Sequence, residues 1–586
     1  MFKTTSPYGT INIFTNTENY LNERTKKRYT NETEWFNQFR EQVTNRINEN
    51  IFRPLYCGNN GAPNVPIRHL TAMLFLKCTR NYSVFDLFEQ CEGNIFIRRA
   101  LGLYNMDDII PSRATFFNFI NKLYKWEEEH GEDLLKTLFE DITRQQVIEF
   151  EVSGDKCRMD STSLSSNIAW LNRYGVIHET LRLAYISAKG DIDKILCRRN
   201  RIILNEITEE NCFNVSYYNT NSQLESKLFR LGSIIYKIIT NIGDKTTKSV
   251  EMLQTVFYQH YEIKEDNIVL LPKQKLKASN IQSPHDDESG FISKNGKKVK
   301  GFNVNVTETC NPDNYVNFIT DVSISSATVH DSNHLIPAIE ATEKVTCQKV
   351  ETINADGAYH SITNQEECTK KNIDFILSNL GGQASQYDLQ VVENNNLIVT
   401  NVLTGEIIPA TLVTRRNKNS PPVWKIINEK GTIRKFTHHD VDNNNLRKQI
   451  NSRSKEEINL RNNVEATIHQ MMYYYPNDKS KYRGKFKHEI WGIGRAICIN
   501  CRRITIFKQK MLALFKNEIF LLMLIMKMRD IIKILFKIFF VIVNLMKSIK
   551  KYLLVKQYNR FSGQIFRKKW VRLCYAKTDF LDCRHL

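Results

Sequence analysis

The chain has 586 residues, 41% of them hydrophobic, enough for two to four domains with a sizeable core. Lys plus Arg outnumber Asp plus Glu by 82 to 63, for a net charge of +19 and a pI near 9.2. That balance argues against an acidic solvating chain and favours a polyanionic partner, nucleic acid before an anionic membrane surface. The opening residues Met1-Phe2-Lys3-Thr4-Thr5 carry no apolar run of the secretory kind. The thirteen scattered cysteines read as reduced cytosolic thiols rather than a disulfide framework. Cys498-x-x-Cys501 with Cys574, Cys583 and His585 could form a zinc site, against the plainer reading of buried cysteines.

Residues 1–150 read as a helical N-terminal domain. A helical stretch lies near 34–48. Ile67, Leu70 and Leu74 recur at helical spacing, as do Val84, Leu87, Phe88 and Cys91. Pro111-Ser112 opens another helix bearing Phe116, Phe119, Ile120 and Leu123. Such short helices could read DNA as a helix-turn-helix, although simple packing produces the same pattern.

Residues 151–510 read as a mixed α/β domain. Lys156–Ser161 is a strand closed by Asp160 and followed by small polar residues. From Gly301 apolar residues alternate through Phe302, Val304 and Val306, and again through Val316, Phe318, Val322 and Ile324, with Asn311-Pro312-Asp313-Asn314 as the turn between. A helix near 334–344, a strand over 350–355 ending on Asp356-Gly357, a helix over 362–371 and a strand over 373–377 follow. The order is β-β-β-α-β-α-β, interrupted by a helical insertion at about 175–295. That insertion ends in the polar stretch Ser283-Pro284-His285-Asp286-Asp287-Glu288, read as a solvated loop rather than a metal site. A β-rich insertion occupies about 380–445 and contains His438-His439-Asp440, read as loop. One helix over about 455–472 buries Leu460, Val464, Ile468 and Met471 and carries Arg461 and Glu465 one turn apart on another face.

Lys481, Arg483, Lys485 and Lys487 interleave with aromatics in a segment at 479–510 suited to phosphate contact, the alternative being a solvated basic face. Residues 511–586 read as a basic amphipathic helical tail. The apolar run at 519–546 is broken by Lys527, Arg529, Asp530, Lys533 and Lys537, so no membrane span is expected, whereas attachment to a membrane surface stays open.

Three acids stand out. In a sheet of this order the first and fourth strands are neighbours, so Asp160 and Asp356 converge, and the helix brings Glu465 over them. Three packed carboxylates repel and take up protons unless cations lie between them. All-oxygen ligands select hard ions such as Mg²⁺ or Mn²⁺.

The ordered set Met159-Asp160-Ser161-Thr162, Ser283-Pro284-His285-Asp286, Gly301-Phe302-Asn303-Val304, Val306-Thr307-Glu308-Thr309-Cys310, Ala327-Thr328-Val329-His330-Asp331-Ser332, Ala355-Asp356-Gly357-Ala358-Tyr359 and Arg461-Asn462-Asn463-Val464-Glu465-Ala466-Thr467 resembles the DDE transposases of bacterial insertion elements. Tyr482-Arg483-Gly484 through Arg502-Arg503-Ile504 is similar to that family's C-terminal signature, and residues 66–148 to its N-terminal domain. Of the family's Tyr-x2-Arg-x3-Glu-x6-Lys signature, Arg461 and Glu465 match, whereas Ile458 and Met472 stand at the Tyr and Lys positions. The 196 residues between Asp160 and Asp356 point to a branch with a large helical insertion.

The resemblance implies an RNase H-like five-stranded sheet and a cut-and-paste type of DNA transposition. It implies two Mg²⁺ or Mn²⁺ ions held by Asp160, Asp356 and Glu465. Arg461, Lys481, Arg483, Lys485 and Lys487 would contact DNA: the terminal inverted repeats and the target. Paired ends imply a homodimer or larger assembly, in a bacterial cytoplasm at the nucleoid. The alternatives are a related metal-dependent nuclease without strand transfer, or a non-catalytic DNA-binding remnant of an element.

Overall fold

The computed structural model describes residues 1–526 apart from 59, 244–246, 266, 295, 383–384, 393–395, 414–421 and 428–430. The N-terminal region is helical, as its periodicity requires. Helices Trp35–Gln42, Ile67–Arg80, Val84–Gly93, Ile95–Leu101, Arg113–His130 and Leu134–Glu149 bury Phe36, Phe75, Phe116, Phe119 and Phe139 between them. Their ends are chemically marked. Asn81 in the left-handed region closes Ile67–Arg80, and Ser83 and Asp86 form a reciprocal cap for the next helix. Ser112 caps Arg113–His130, which stops at Gly131 with φ 69°.

The sheet follows the expected order. The first strand, Lys156–Ser165, runs antiparallel to the second, Lys297–Thr309, which pairs on its other edge with the third, Ile319–Ser326. The fourth, Thr352–Ala355, lies parallel to the first, and the fifth, Asp374–Leu377, parallel to the fourth. Helices Leu335–Thr346 and Ile362–Lys370 make the two crossovers. This is the mixed α/β, RNase H-like arrangement, with one addition. Gly290–Lys294, read as the end of the helical insertion, forms a hairpin with the start of the second strand and so joins the sheet. A second difference concerns Asp160. It does not close the first strand but lies mid-strand, because the long second strand offers ladder partners as far as Ser165 opposite Gly301. The ladder is tight there: a Cβ on Gly301 would lie 2.1 Å from the carbonyl oxygen of Leu164.

The helical insertion comprises Arg173–Ile195, Arg198–Glu209, Cys212–Tyr218, Asn221–Asn241 and Lys248–His260 around its own core of Ile177, Leu181, Leu228, Ile235, Leu253 and Phe257. The β-rich insertion forms two three-stranded sheets sharing Leu389, Val399, Trp424 and Phe436. His438-His439-Asp440 is not a loop. It opens the helix His438–Ser452, where Asp440 and Thr437 complete a capping box.

The single helix expected over 455–472 is two, Lys455–Asn459 and Asn462–Met472. At the junction Leu460 and Arg461 keep helical dihedrals (φ −53°, ψ −33° and φ −62°, ψ −39°), and it is the hydrogen-bond ladder that is interrupted. The Leu460 carbonyl, a natural acceptor for the Val464 N–H, instead accepts from Arg158 Nη1 at 2.9 Å, and Val464 donates to Arg461 O. A 42-residue helix, Lys485–Met526, follows. Cys498 and Cys501 are buried within it, which fits the plainer reading of that pair; Cys574, Cys583 and His585 lie outside the described residues. So does most of the stretch at 519–586; among the described residues no helix is long and apolar enough to cross a membrane. The chain divides after Phe507 into two units, Met1–Phe507 and Lys508–Leu586.

Candidate functional site

The parallel pairing of the first and fourth strands sets Arg158 opposite Asn354. Two residues further along each lie Asp160 and Asp356, the latter at the N-cap of the turn Gly357–Tyr359. The break at Leu460–Arg461 starts a new helix over this edge and presents Glu465 in its first turn. All three acids then meet one guanidinium. Arg461 Nη2 lies 2.7 Å from Asp160 Oδ2 and 3.9 Å from Asp356 Oδ2, and Nη1 lies 3.6 Å from Glu465 Oε1. The two aspartate oxygens can be no farther apart than those two contacts together. Asp160 is buried, whereas the Glu465 side chain is 63% exposed. Burial holds the Asp160 carboxyl above its ordinary range, with the charges of Asp356 and Glu465 adding, while Arg461 and the Ser161 N–H act against them. As placed, no three His, Cys, Asp or Glu side chains among the described residues close on a single metal position. The cation among these acids is Arg461.

Behind the acids is a polar layer to which sequence reasoning assigned no role. Ser161 Oγ and Asn303 Nδ2 both donate to Asp331 Oδ1, at 2.9 and 2.6 Å. Tyr359 Oη donates to Asn305 Oδ1 at 2.5 Å, and Asn364 Nδ2 ties the Ser332 and Tyr359 carbonyls at 2.7 and 2.8 Å. Burial, with the charges of Asp331 and Asp160, raises the Tyr359 phenol well above its usual value, so it stays a donor. The signal was present: Asp331, Ser332 and Tyr359 sit in motifs already quoted.

Ser283–Glu288 is a loop, exposed at His285, Asp287 and Glu288 but anchored through Asp286. Asp286 is 2% exposed; it accepts from Ser166 Oγ and, at 3.0 Å, from the Gly484 N–H, while Glu288 Oε2 accepts the Lys485 N–H at 2.7 Å. Two carboxylates thereby satisfy donors at the start of the 42-residue helix and complement its dipole.

That helix changes the reading of the basic segment. Lys481 Nζ donates to the Asn81 and Tyr82 carbonyls at 2.8 and 3.1 Å, and burial with the nearby Lys77 brings its ammonium down to about 8. Arg483 Nε donates to Asn167 O at 2.7 Å, and Lys485 pairs with Glu489 at 3.0 Å. Arg495 reaches the Thr79 and Gln470 carbonyls, and Arg503 the Glu308 carboxylate. Arg495 and Arg503 are internal ties, because the helix that carries them buries Ile490, Trp491, Ile493, Ala496 and Ile497. Lys481, Arg483, Lys487 and Arg502 remain exposed.

Comparison with known families bears on this arrangement. A family model described as "Transposase domain (DUF772)" matches residues 27–122, and one described as "Transposase DDE domain" matches residues 274–501. The second match contains Asp356, Arg461 and Glu465, whereas Asp160 lies ahead of it. Neither the curated proteins nor the solved structures contain a match. DDE transposases use divalent metal ions, and the residues here fit one by donor chemistry: three carboxylates, no nitrogen or sulfur ligand, and a cation already drawn among them. With a transposase domain at its N-terminal end and a transposase DDE domain over its later sheet and helices, the chain belongs to the DDE transposases of insertion elements.

Proposed function

We propose that Asp160, Asp356 and Glu465 are the catalytic carboxylates and that the protein cuts the ends of its element and joins them to target DNA. One observation carries this reading: carboxylates from three segments far apart in sequence contact the same guanidinium. Bound between these acids, Mg²⁺ or Mn²⁺, two per site, supplies activation of the attacking water or DNA 3′-hydroxyl and stabilisation of the leaving oxygen in an in-line displacement at phosphorus. Asp160, rigid in a central strand and buried, is the fixed ligand. Asp356 sits at a strand end and Glu465 on an exposed helical turn, so both adjust around it. Arg461 neutralises the trio in the free protein, and with metal ions held by the acids it would be free to contact a DNA phosphate. Its fork suits either partner.

Residues 1–150 and the exposed cations Lys481, Arg483, Lys487 and Arg502 would grip double-stranded DNA at the terminal inverted repeats. Lys485, paired with Glu489, would contribute through the surface it holds in place. Two ends must be paired, so the working form would be a homodimer or larger, acting at the nucleoid of a bacterial cytoplasm.

The test is a supercoiled plasmid carrying the element ends, incubated with Mg²⁺ and either the wild type or Asp356→Ala. We expect cleaved and joined products from the wild type and a loss of about a thousandfold or more in the variant. Cutting without joining would identify a nuclease instead. Binding without cutting would identify a remnant and end the enzymatic reading.

A further inference from the structure

We propose that Glu308 is a positioning residue for this chemistry, the buried carboxylate that sets Arg461 and Glu465 against Asp160; the proposal rests on the carboxylate reading above. Glu308 lies on the second strand, directly opposite Arg158 of the first, and is fully buried. Its Oε1 accepts from Arg158 Nε at 2.6 Å. Its Oε2 accepts from Arg503 Nη2 at 2.6 Å and from Thr467 Oγ1 at 2.8 Å. Arg158 also donates, through Nη1, to the Leu460 carbonyl at 2.9 Å.

The consequence is a clamp. Leu460 immediately precedes Arg461, and Thr467 follows Glu465 by two residues. The short segment bearing both functional side chains is therefore held at its two ends, and both ties run through one carboxylate. The same Arg158 stands two residues before Asp160 and points to the same side of the strand. Strand and helix thus share a reference point. Arg503 anchors that point further, through Asn317 O at 2.9 Å and Thr467 Oγ1 at 2.5 Å.

A buried ion cluster is a poor way to gain stability, since well-packed apolar residues do as well without the desolvation cost. Its particular property is direction. Two planar forks and a hydroxyl converging on a single carboxylate permit one helix placement, where an apolar contact would permit sliding.

The experiment compares the full chain with Glu308→Gln and, as a control for general destabilisation, Leu253→Ala in the separate core of the helical insertion. Mn²⁺ binding is titrated by electron paramagnetic resonance, and hydrogen exchange is followed by peptide mass spectrometry. Glu308→Gln should weaken Mn²⁺ binding about tenfold or more, the scale expected when a group orienting a metal ligand is lost. Exchange should quicken within 455–472 and stay unchanged in the helical insertion, and Leu253→Ala should do neither at the acidic site. Unchanged exchange in 455–472, or an equal loosening of the whole chain, would overturn the proposal. If Glu308→Gln does not fold, Thr467→Val removes the hydroxyl's bonds to Glu308 and Arg503 with both ion pairs of Glu308 kept; a smaller change of the same sign, about threefold, supports the clamp, and none refutes it. A wild type that binds no Mn²⁺ would count against the carboxylate reading, whereas the exchange result still decides the clamp.

Discussion

Arg461 is the residue on which the acidic site turns. Without its charge, the buried Asp160 would face the like charges of Asp356 and Glu465 uncompensated, and all three acids would repel. A guanidinium relieves that repulsion, and it competes with any other cation for the same oxygens. Arg461→Ala should therefore bind Mn²⁺ more tightly than the wild type in the absence of DNA, by about tenfold, yet cleave plasmid more slowly for want of the phosphate contact. A resonance titration beside the plasmid assay measures both. Equal Mn²⁺ affinity in the two proteins would show that the arginine does not compete with the ion. Arg461 and Glu465 were legible together from their spacing, as was Asp356 from the strand end before it. The roles of Asp331 and Tyr359 were not, although both lie in quoted motifs, because hydrogen bonds between distant strands and turns leave no periodicity in sequence.

Among elements, the contact between helix Arg113–His130 and the 42-residue helix carries a pH-sensitive carboxyl pair. Burial and the facing Glu489 hold Glu127 up near 8, with Asp133 adding and Lys485 opposing. Unfolded, Glu127 titrates at 4.5, so the stability linked to it is fully present below pH 4.5 and is lost as pH rises through about 8. Glu127→Gln should melt about 3 °C higher than the wild type at pH 9 and at the same temperature at pH 4, where both states carry the proton, by differential scanning calorimetry. No difference at pH 9 would mean that the pair is relaxed by solvent. The β-β-β-α-β-α-β order was readable because alternation and helical period are local signals. The break at Leu460 was not: it depends on Arg158, a residue 302 positions away. His438-His439 failed as a loop for a nearer reason. Thr437 and Asp440 are a capping pair, and a cap makes polar residues the start of a helix.

For the whole molecule, the cut after Phe507 separates the sheet, both insertions and the N-terminal helices from the basic tail. One hydrophobic cluster joins Phe75 and Phe116 of the N-terminal helices to Phe302 and Val306 of the sheet and to Trp491 and Ile497 of the last helix. A chain ended at Phe507 keeps that cluster intact and should melt within about 3 °C of the full chain. A larger loss would assign a structural role to the segment from Lys508 onward.

Composition, periodicity and motif order were enough by themselves to indicate a basic, nucleic-acid-directed protein, a mixed five-stranded sheet and three candidate acids, because hydrophobic pattern and local turn chemistry are written in neighbouring residues. Tertiary structure alone decided that Arg461 lies among those acids, that much of the basic segment is spent on internal carbonyls and carboxylates, and that Asp286 and Glu308 are buried anchors. Those outcomes depend on which charges find each other across hundreds of residues once water is excluded, and Coulomb attraction between distant segments has no period to read.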